Sequence, residues 1–396
     1  MKIWHFTEQS YAPGWNAISG PIRIDPPSSL VDPVVSSDLI NRFLDEWCYC
    51  DEVGLNIMVN EHHSSMSSIS PNVMMHLMAL ARQTKNARLL ALGIPLTNRM
   101  DPVRIAEEAA LVDNVSRGRF EFGLVKGVAW ELFSSNQNPV GLMDRFWESH
   151  DLILKTLTTH DGPFNWEGKY FNYRAVNIYP RCYQQPTPPM WIPGNSIGSA
   201  RLAARKGYVF ATFLAGHLAK DMFAAYREEY YKTFGREAAL DRLGYLCMNA
   251  VASDTATAEQ RAMQMAPYLA TISRVPAAAA MPPGYISISD HAKICQIGKQ
   301  GMKHLVKMSN GQPLPENASL EQLADAGLIM AGTPDKVFEQ IEAFYNAVGG
   351  FGHLISMGQA AYLPHADTLD NLKLLGTEVR PRLEAMTARP LAAMSS

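Results

Sequence analysis

Residues Leu55 to His63 read Leu-Asn-Ile-Met-Val-Asn-Glu-His-His, an apolar run that ends in one acid and two imidazoles. Such a run is typical of a buried parallel strand whose carboxyl end opens into an active site. In an α/β barrel the C-terminal ends of the strands line the site, because the loops above them face solvent while the strands below are packed. We therefore expect catalytic side chains at the carboxyl end of this strand.

The adjacent histidines His62 and His63 allow a catalytic and a structural interpretation. Successive strand residues point to opposite faces, so at most one of the two easily reaches the centre of a barrel mouth. Two structural histidines capping a strand would produce the same pattern. A metal site would need further carboxylate or imidazole ligands at matched spacing, and because the sequence offers none we predict no metal site.

Composition indicates a large, well-buried core and small-molecule partners. Of the 396 residues, 47% are hydrophobic and 18% are charged, and this charged fraction is below the usual quarter or so for soluble domains. The net charge is only -3 and the pI is near 6.4, so we expect neither nucleic acid nor an anionic membrane as a partner. The length suits one barrel domain over residues 1–396.

The cysteine pattern indicates reduced thiols and a cytoplasmic location. The cysteines are odd in number, widely spread and without ligand spacing such as CxxC; they are Cys48, Cys50, Cys182, Cys247 and Cys295. Met1 to Phe6 runs into a predicted strand with no basic segment followed by a long apolar one, so we expect no signal peptide. Since no run of about 18 uncharged apolar residues occurs, we also expect no transmembrane helix.

Segments with strand character alternate with segments of helical periodicity along the whole chain. The eight predicted strands are Lys2 to Phe6, Leu55 to His63, Ala87 to Leu96, Arg119 to Val125, Pro189 to Pro193, Tyr208 to Leu214, Leu243 to Ala252 and His353 to Met357. An open sheet would more often show a glycine-rich turn after its first strand, and no GxGxxG stands there. We therefore predict an α/β fold, a (β/α)8 TIM barrel.

Residues Thr271 to Asp325 interrupt this alternation before the eighth strand. The segment contains an alanine run, Pro282-Pro283-Gly284 and four spaced lysines, which are Lys293, Lys299, Lys303 and Lys307. We predict that residues 271–325 form an insertion over the barrel mouth that acts as an active-site lid. The lysines form a solvated face, or they meet an acidic group of a substrate.

Two glycine-containing segments after strands four and five are candidates for anion binding. Val125-Lys126-Gly127 places a cation and a flexible backbone at the top of strand four, although a plain surface lysine would look the same. Gly194 to Ser199, which reads Gly-Asn-Ser-Ile-Gly-Ser, opens the helix after strand five, where free amides and hydroxyls form a phosphate site. The same residues would serve equally well as an ordinary N-cap.

Four motifs in this order make the chain resemble the bacterial luciferase-like flavin-dependent monooxygenases. They are Glu61-His62-His63 after strand two, Asp101-Pro102-Val103-Arg104 opening a helix that ends Val115-Ser116-Arg117-Gly118-Arg119-Phe120, Phe122-Gly123-Leu124-Val125-Lys126-Gly127, and Gly332-Thr333-Pro334 after the insertion. The resemblance covers most of the chain. It is weakest in the long first loop and in residues 271–325.

The resemblance implies a barrel that binds reduced FMN, supplied by a separate flavin reductase, and forms a flavin hydroperoxide with O2. In that family the first histidine of the pair sits by the flavin and is needed for catalysis. His62 takes this role here, with His63 and Glu61 in support. The resemblance also implies a homodimer.

The cofactor positions of the family fall on several segments of this chain. The phosphate positions correspond to Asn195, Ser196 and Ser199, next to Gly194, and Lys126 with Gly127 stands where the family often has arginine. Leu90 and Ala91 correspond to the place of a non-prolyl cis bond packed on the flavin ring. Val125 stands where a luciferase has its reactive thiol, which leaves light emission unsupported.

The predicted activity is oxygenation of a small apolar organic substrate by a two-component FMN-dependent monooxygenase. A neutral imidazole at His62 would donate a hydrogen bond or accept a proton near neutral pH. Two alternatives remain open on the same fold. One is an F420-dependent oxidoreductase, which would transfer hydride and ignore O2, and the other is a flavin-binding or other ligand-binding barrel without catalysis.

Overall fold

The computed structural model describes residues 1–292 and 306–388, in which parallel strands close into a ring. The strands are β1 (Lys2–Phe6), β2 (Asn56–Val59), β3 (Leu89–Pro95), β4 (Phe120–Val125), β5 (Phe164–Glu167), β6 (Asn172–Val176), β7 (Met190–Pro193), β8 (Val209–Phe213), β9 (Leu243–Val251), β10 (Ile329–Gly332) and β11 (His353–Met357). The ring runs β1-β2-β3-β4-β7-β8-β9-β11 and returns to β1, and every pairing in it is parallel. The predicted (β/α)8 barrel is therefore confirmed.

Helices connect the strands on the outside of this ring. They are α1 (Ala12–Asn16), α2 (Pro33–Glu52), α3 (Val73–Gln83), α4 (Pro102–Ser116), α5 (Glu131–Ser134), α6 (Leu142–Thr158), α7 (Ile197–Lys206), α8 (Ala219–Phe234), α9 (Thr255–Met265), α10 (Pro267–Thr271), α11 (Ala277–Ala280), α12 (Leu320–Asp325), α13 (Pro334–Ala347), α14 (His365–Leu374) and α15 (Arg380–Thr387). Within the described residues, no helix combines the length and the apolar character that crossing a bilayer requires.

Local sequence explains where several of these helices begin. The Asp101 side chain accepts a hydrogen bond from Arg104 N, and Pro102 occupies a position whose missing N–H costs nothing. The helix that follows ends at Arg117, which adopts the left-handed conformation with φ 53°, and Gly118 continues it with φ 82°. The left-handed cap is thus shared by these two residues, and β4 follows at once.

Two departures from the predicted strands concern β2 and β10. The second strand ends at Val59, so residues 60–63 belong to the loop at its carboxyl end and not to the strand itself. Strand β10 was not predicted, and it pairs in parallel with the carboxyl end of β9 outside the eight-stranded ring. After α6, strands β5 and β6 form an antiparallel hairpin outside the ring.

Alternating strand residues build two apolar layers. Trp4, Met58, Leu90 and Trp191 point into the ring, where the Trp4 and Trp191 rings meet edge to face with centroids 5.7 Å apart. Their neighbours along the strands, such as Ala91, pack outward against the helices. Each fully buried large side chain contributes about 1.5–3 kcal/mol, so the ring is a filled core and leaves only its ends for function.

The insertion packs against loops at the carboxyl ends of β1 and β4. Arg274 donates hydrogen bonds to the carbonyl oxygens of Trp15, Ile18 and Gly20 in the long first loop. At the other side, the Tyr285 hydroxyl donates to the Gly127 carbonyl oxygen at 2.8 Å. Lys293, Lys299 and Lys303 lie outside the described residues, and a role of the insertion as a lid stays a prediction.

Candidate active site

The imidazole of His62 lies between two carboxylates at the carboxyl end of the barrel. Its Nδ1 is 2.8 Å from Glu131 Oε1, and its Nε2 is 3.2 Å from Glu8 Oε1. Glu8 follows β1, His62 follows the neighbouring strand β2, and Glu131 is the first residue of α5. The parallel arrangement of the strands therefore brings together three side chains that are far apart in the sequence.

These two carboxylates change the expected protonation state of His62. Burial works against a charge on the ring, but the hydrogen bonds and negative charges of Glu131 and Glu8 outweigh it and raise the pKa of His62 to about 10. A pKa of about 10 makes the imidazole cationic at neutral pH, in contrast to the neutral imidazole expected from the sequence. The reason is that neither carboxylate belongs to the motif from which that expectation came.

Sequence reasoning missed Glu8 and Glu131, although a weak signal existed for both. Glu8 is the first acid after strand one, and Glu131 is the first acid after the Lys126-Gly127 segment. In a parallel barrel an acid just beyond the end of a strand lies at the functional rim. That rule would have placed both residues near His62 without showing that they contact it.

His63 and Glu61 lie beside this cluster and point toward the helix layer. His63 Nε2 is 3.3 Å from Glu61 Oε1, while Glu61 is held by a forked pair of Arg99 contacts at 3.0 and 2.6 Å and accepts a hydrogen bond from Val73 N at 3.0 Å. Although burial of the Glu61 carboxyl acts in the opposite direction, these donors lower its pKa. The contacts anchor the His62 loop to α3 and α4, and a supporting role for both residues in catalysis stays a prediction.

Aromatic and cationic side chains surround His62. The Arg23 guanidinium lies 4.1 Å from the Trp130 ring centroid, and that ring is 6.3 Å from the His62 ring. The Tyr268 hydroxyl, from α10, donates a hydrogen bond to Glu8 Oε2. In the described part of the chain, Trp130 Nε1 and the Oδ1 of Asn60 are buried without a hydrogen-bond partner, so both have capacity for a ligand.

The segment before α7 has the architecture of an N-cap with open amides. Ser196 and Ser199 form a reciprocal capping box, and a side chain at Gly194 would collide with Ser199 Oγ, because an added Cβ would lie 2.3 Å from it. Among the described residues, no acceptor binds the backbone N–H groups of Ile197 and Gly198, which are exposed. These two amides are the candidates for anion binding in the segment.

The Asn195 side chain makes hydrogen bonds to β8, and its contact with a phosphate stays a prediction. Its Oδ1 accepts hydrogen bonds from Thr212 Oγ1 at 2.7 Å and Phe213 N at 3.1 Å, and its Nδ2 donates to the Phe213 carbonyl oxygen at 3.1 Å. The side chain therefore ties the loop to β8. Ser196 and Ser199 remain the better candidates for direct contact with a phosphate.

Val125, Lys126 and Gly127 lie at the carboxyl end of β4, between the His62 and Ser196 regions. Lys126 Nζ is 3.5 Å from the Tyr285 ring centroid, and burial lowers the pKa of Lys126 to about 8. Gly127 has φ 91°, a conformation that favours glycine. The insertion thus covers the cation that was expected to face a phosphate.

The expected position of the non-prolyl cis bond needs correction. The structure has this bond between Leu92 and Gly93, two residues beyond Leu90 and Ala91. Leu90 is buried inside the ring, and Ala91 is buried in the outer layer against the helices. Leu92 and Gly93 lie nearer to the rim, and the ladder to β4 shifts its register between Leu92 and Ile94.

All candidate segments lie at one end of the ring, because each follows the carboxyl end of a parallel strand. From β2 to β7 there are three strand spacings, so the His62 and Ser196 segments are separated by roughly 14 Å along the sheet. One elongated ligand can therefore reach both. The described residues contain no group of three or more acids, histidines and cysteines placed to hold a metal ion.

Curated relatives match part of this chain in sequence. The oxygenase component of the flavin-dependent trigonelline monooxygenase of Acinetobacter baylyi is 24% identical over 177 residues, which are 44% of this chain and 49% of that protein. The chain spans about half the length of the curated relatives it matches.

Solved structures agree on the fold. The oxygenating constituent of 3,6-diketocamphane monooxygenase from Pseudomonas putida, a type II Baeyer–Villiger monooxygenase in complex with FMN, superposes with a TM-score of 0.71 at 22% identity and covers 87% of this chain and 93% of that chain. An F420-dependent secondary alcohol dehydrogenase superposes with a TM-score of 0.63 at 15% identity, covering 98% and 99%. The sequence profile of the luciferase-like monooxygenases matches residues 37–350, and the chain therefore belongs to that family.

Proposed function

We propose that this chain is the oxygenase component of a two-component flavin-dependent monooxygenase. It would take reduced FMN from a separate flavin reductase and use O2 to oxygenate a small apolar organic substrate. The observation that carries the proposal is the clamped imidazole of His62 at the same rim as the open amides that precede α7. Membership of the luciferase-like monooxygenase family supports a flavin-dependent active site at this rim.

The residues at the rim fit FMN in both charge and shape. The open amides of Ile197 and Gly198, with the hydroxyls of Ser196 and Ser199, would hold the phosphate, because a helix N-terminus favours an anion. Lys126 adds a positive charge on the neighbouring strand. The unpartnered buried Nε1 of Trp130 offers a hydrogen bond to a polar edge of the ring system or of the substrate.

The chemistry divides between the cofactor and the chain. Reduced FMN supplies the two electrons with which one oxygen atom enters the substrate and the other leaves as water. The chain's residues bind the phosphate, enclose the reacting centre and hold protons. His62 presents a fixed positive charge, which stabilises negative charge that develops on oxygen nearby. The insertion is attached to the loops of the rim by Arg274 and Tyr285, and there it would exclude water.

The test combines product analysis with an alternative cofactor. The purified chain, reduced FMN and oxygen-18 gas are mixed with a panel of ketones, terpenes and aldehydes, and products are analysed by mass spectrometry. We expect one heavy oxygen atom in the product of at least one substrate, and loss of that product in His62→Ala. Oxidation of reduced F420 without oxygen, and no labelled product with FMN, would replace the proposal with a hydride-transferring enzyme.

FMN binding without turnover is the third outcome of this experiment. A barrel that binds FMN tightly but oxidises none of the panel, with His62→Ala binding FMN equally well, would behave as a carrier. Titration of oxidised FMN by flavin fluorescence measures that affinity directly. A Kd that is the same for wild type and Ser196→Ala would also contradict the assignment of the phosphate site.

A further inference from the structure

The hydrogen bonds of His62 leave it no free lone pair. A cationic imidazole carries an N–H on both ring nitrogens, and here Nδ1 faces Glu131 while Nε2 faces Glu8. Such a ring donates two hydrogen bonds and accepts none. It cannot take a proton from a reacting group while it holds this charge.

Glu131 is too enclosed to take that proton instead. Its Oε1 accepts hydrogen bonds from His62 and from the backbone N–H of His63, and its Oε2 accepts from Asn98 Nδ2 at 2.8 Å. The side chain is only 1% exposed. Glu131 therefore positions His62 and does not meet a substrate.

Glu8 is different, since it combines access with spare acceptor capacity. Its side chain is 10% exposed. Its Oε1 faces His62 and its Oε2 accepts from the Tyr268 hydroxyl, while Asn60 Nδ2 approaches only to 3.5 Å. Each carboxylate oxygen has two lone pairs, and since His62 and Asn60 both approach Oε1, the lone pair that remains open is on Oε2.

The charges around Glu8 come from several elements. His62 on the β2 loop contacts Glu8 and also Glu131 on α5. Burial lowers the pKa of Arg23 on the first loop, while the nearby Glu8 and Glu131 act in the opposite direction. The Tyr268 hydroxyl on α10 donates to Glu8, so a histidine, an arginine and a tyrosine from three elements surround this carboxylate.

We propose that Glu8 is the proton-accepting catalytic residue of this chain and that His62 is its charged partner rather than the base, with Glu131 and Tyr268 as positioning residues. The inference rests on the proposed monooxygenase function. The reacting atom of the substrate forms a bond to one oxygen atom of O2; its bond to hydrogen breaks, the electron pair of that bond stays on the reacting atom, and the proton forms an O–H bond on Glu8. That proton then forms an O–H bond of the departing water, so Glu8 ends the cycle ionised while reduced FMN provides both electrons.

The first test needs neither cofactor nor substrate. The nitrogen-15 shifts of His62, assigned by comparison with His62→Gln, are followed from pH 5.5 to 9.5. We expect imidazolium shifts throughout most of this range in wild type, and in Glu8→Gln a pKa that falls towards the ordinary value of about 6.5. Glu228→Gln, which removes an exposed carboxylate on α8, is the control and leaves the titration unchanged. A neutral His62 at pH 7 in wild type would overturn the inference, because the ring would then have a free lone pair.

The second test measures product formation in a single turnover with reduced FMN. Glu8→Gln should lower the rate by roughly 10²–10⁴-fold while the Kd for oxidised FMN changes by less than about threefold. Glu8→Asp keeps a carboxylate and should recover part of the rate, which separates chemistry from misfolding. Tyr268→Phe should shift the pH profile, unlike the exposed control Tyr231→Phe.

The two proposals fail in distinguishable ways. Wild-type turnover together with an equally active Glu8→Gln variant would refute the role of Glu8 and leave the monooxygenase function intact. A wild-type chain that oxygenates nothing would refute the function, and the nitrogen-15 titration would still decide whether His62 or Glu8 holds the available lone pair.

Discussion

Replacing Glu131 with glutamine removes one of the two negative charges on His62 and keeps nearly the same shape. A glutamine can still accept hydrogen bonds from His62 and from the His63 backbone at Oε1. Its amide nitrogen would then face the amide nitrogen of Asn98, which at present donates to Glu131 Oε2 at 2.8 Å. One buried hydrogen bond is therefore lost in addition to the charge.

The size of the effect follows from the pKa of His62. A rise from 6.5 to about 10 corresponds to about 5 kcal/mol at about 1.4 kcal/mol per pH unit, an upper bound that Glu131 and Glu8 share. We expect Glu131→Gln to lower the free energy of unfolding by about 3 kcal/mol near pH 6.5. Because the folded-state pKa of His62 is raised, this stabilisation is complete below about pH 6.5 and disappears as the pH rises through about 10.

Urea unfolding at several pH values between 6 and 10.5 tests this expectation, with tryptophan fluorescence as the readout. The difference between wild type and Glu131→Gln should shrink steadily towards high pH. Glu148→Gln is the matched control, because Glu148 accepts hydrogen bonds from Trp166, Tyr170 and Phe171 but contacts no histidine. If Glu131→Gln lost the same stability at every pH, as the control should, a charged interaction between Glu131 and His62 would be refuted.

Three further substitutions probe other parts of the rim and barrel. Arg99→Ala should cost about 3–5 kcal/mol in urea unfolding because it strands a buried carboxylate, whereas Arg104→Ala, on an exposed side chain, should cost less than about 1 kcal/mol. Gly123→Ala should give little soluble protein, since its Cβ would lie 2.3 Å from a carbonyl oxygen of β3, while Gly20→Ala, with open space around it, should be neutral in thermal unfolding. Lys126→Ala should weaken FMN binding by about tenfold at pH 7, and by less above pH 9, because the wild-type lysine loses its charge above about pH 8.

The barrel could be predicted from the sequence because the patterns that specify its strands and helices are local. Each strand is a short apolar run, each major helix has its own periodicity and several have their own caps, so the number and order of elements could be predicted without knowing any contact. Strand β10 was missed for a physical reason: Ile329–Gly332 has only four residues and pairs beside the ring on the end of β9. A local pattern does not distinguish such a strand from a buried loop.

The candidate site was less predictable because its electrostatics depend on distant contacts. The Glu61-His62-His63 motif marks the correct loop, yet the acid in the motif serves Arg99 and the helix layer, whereas the acids that act on His62 come from beyond β1 and from α5. The side chain of Asn195 likewise suggested an anion ligand, but it ties its loop to β8. In each case the residue type indicated a place in the site, but the sequence did not indicate which residues the side chain contacts.

Two tyrosine hydroxyls contact opposite sides of the rim, one from α10 just before the insertion and one from within the insertion. Tyr268, next to the start of the insertion, donates to Glu8, and Tyr285 within it covers Lys126 while bonding to the Gly127 carbonyl oxygen. If Tyr285 moved away, Lys126 would lose part of the burial that lowers its pKa. Lys126 would then carry its charge more fully at neutral pH. Displacing Tyr285 should therefore strengthen the attraction of Lys126 for an anionic cofactor.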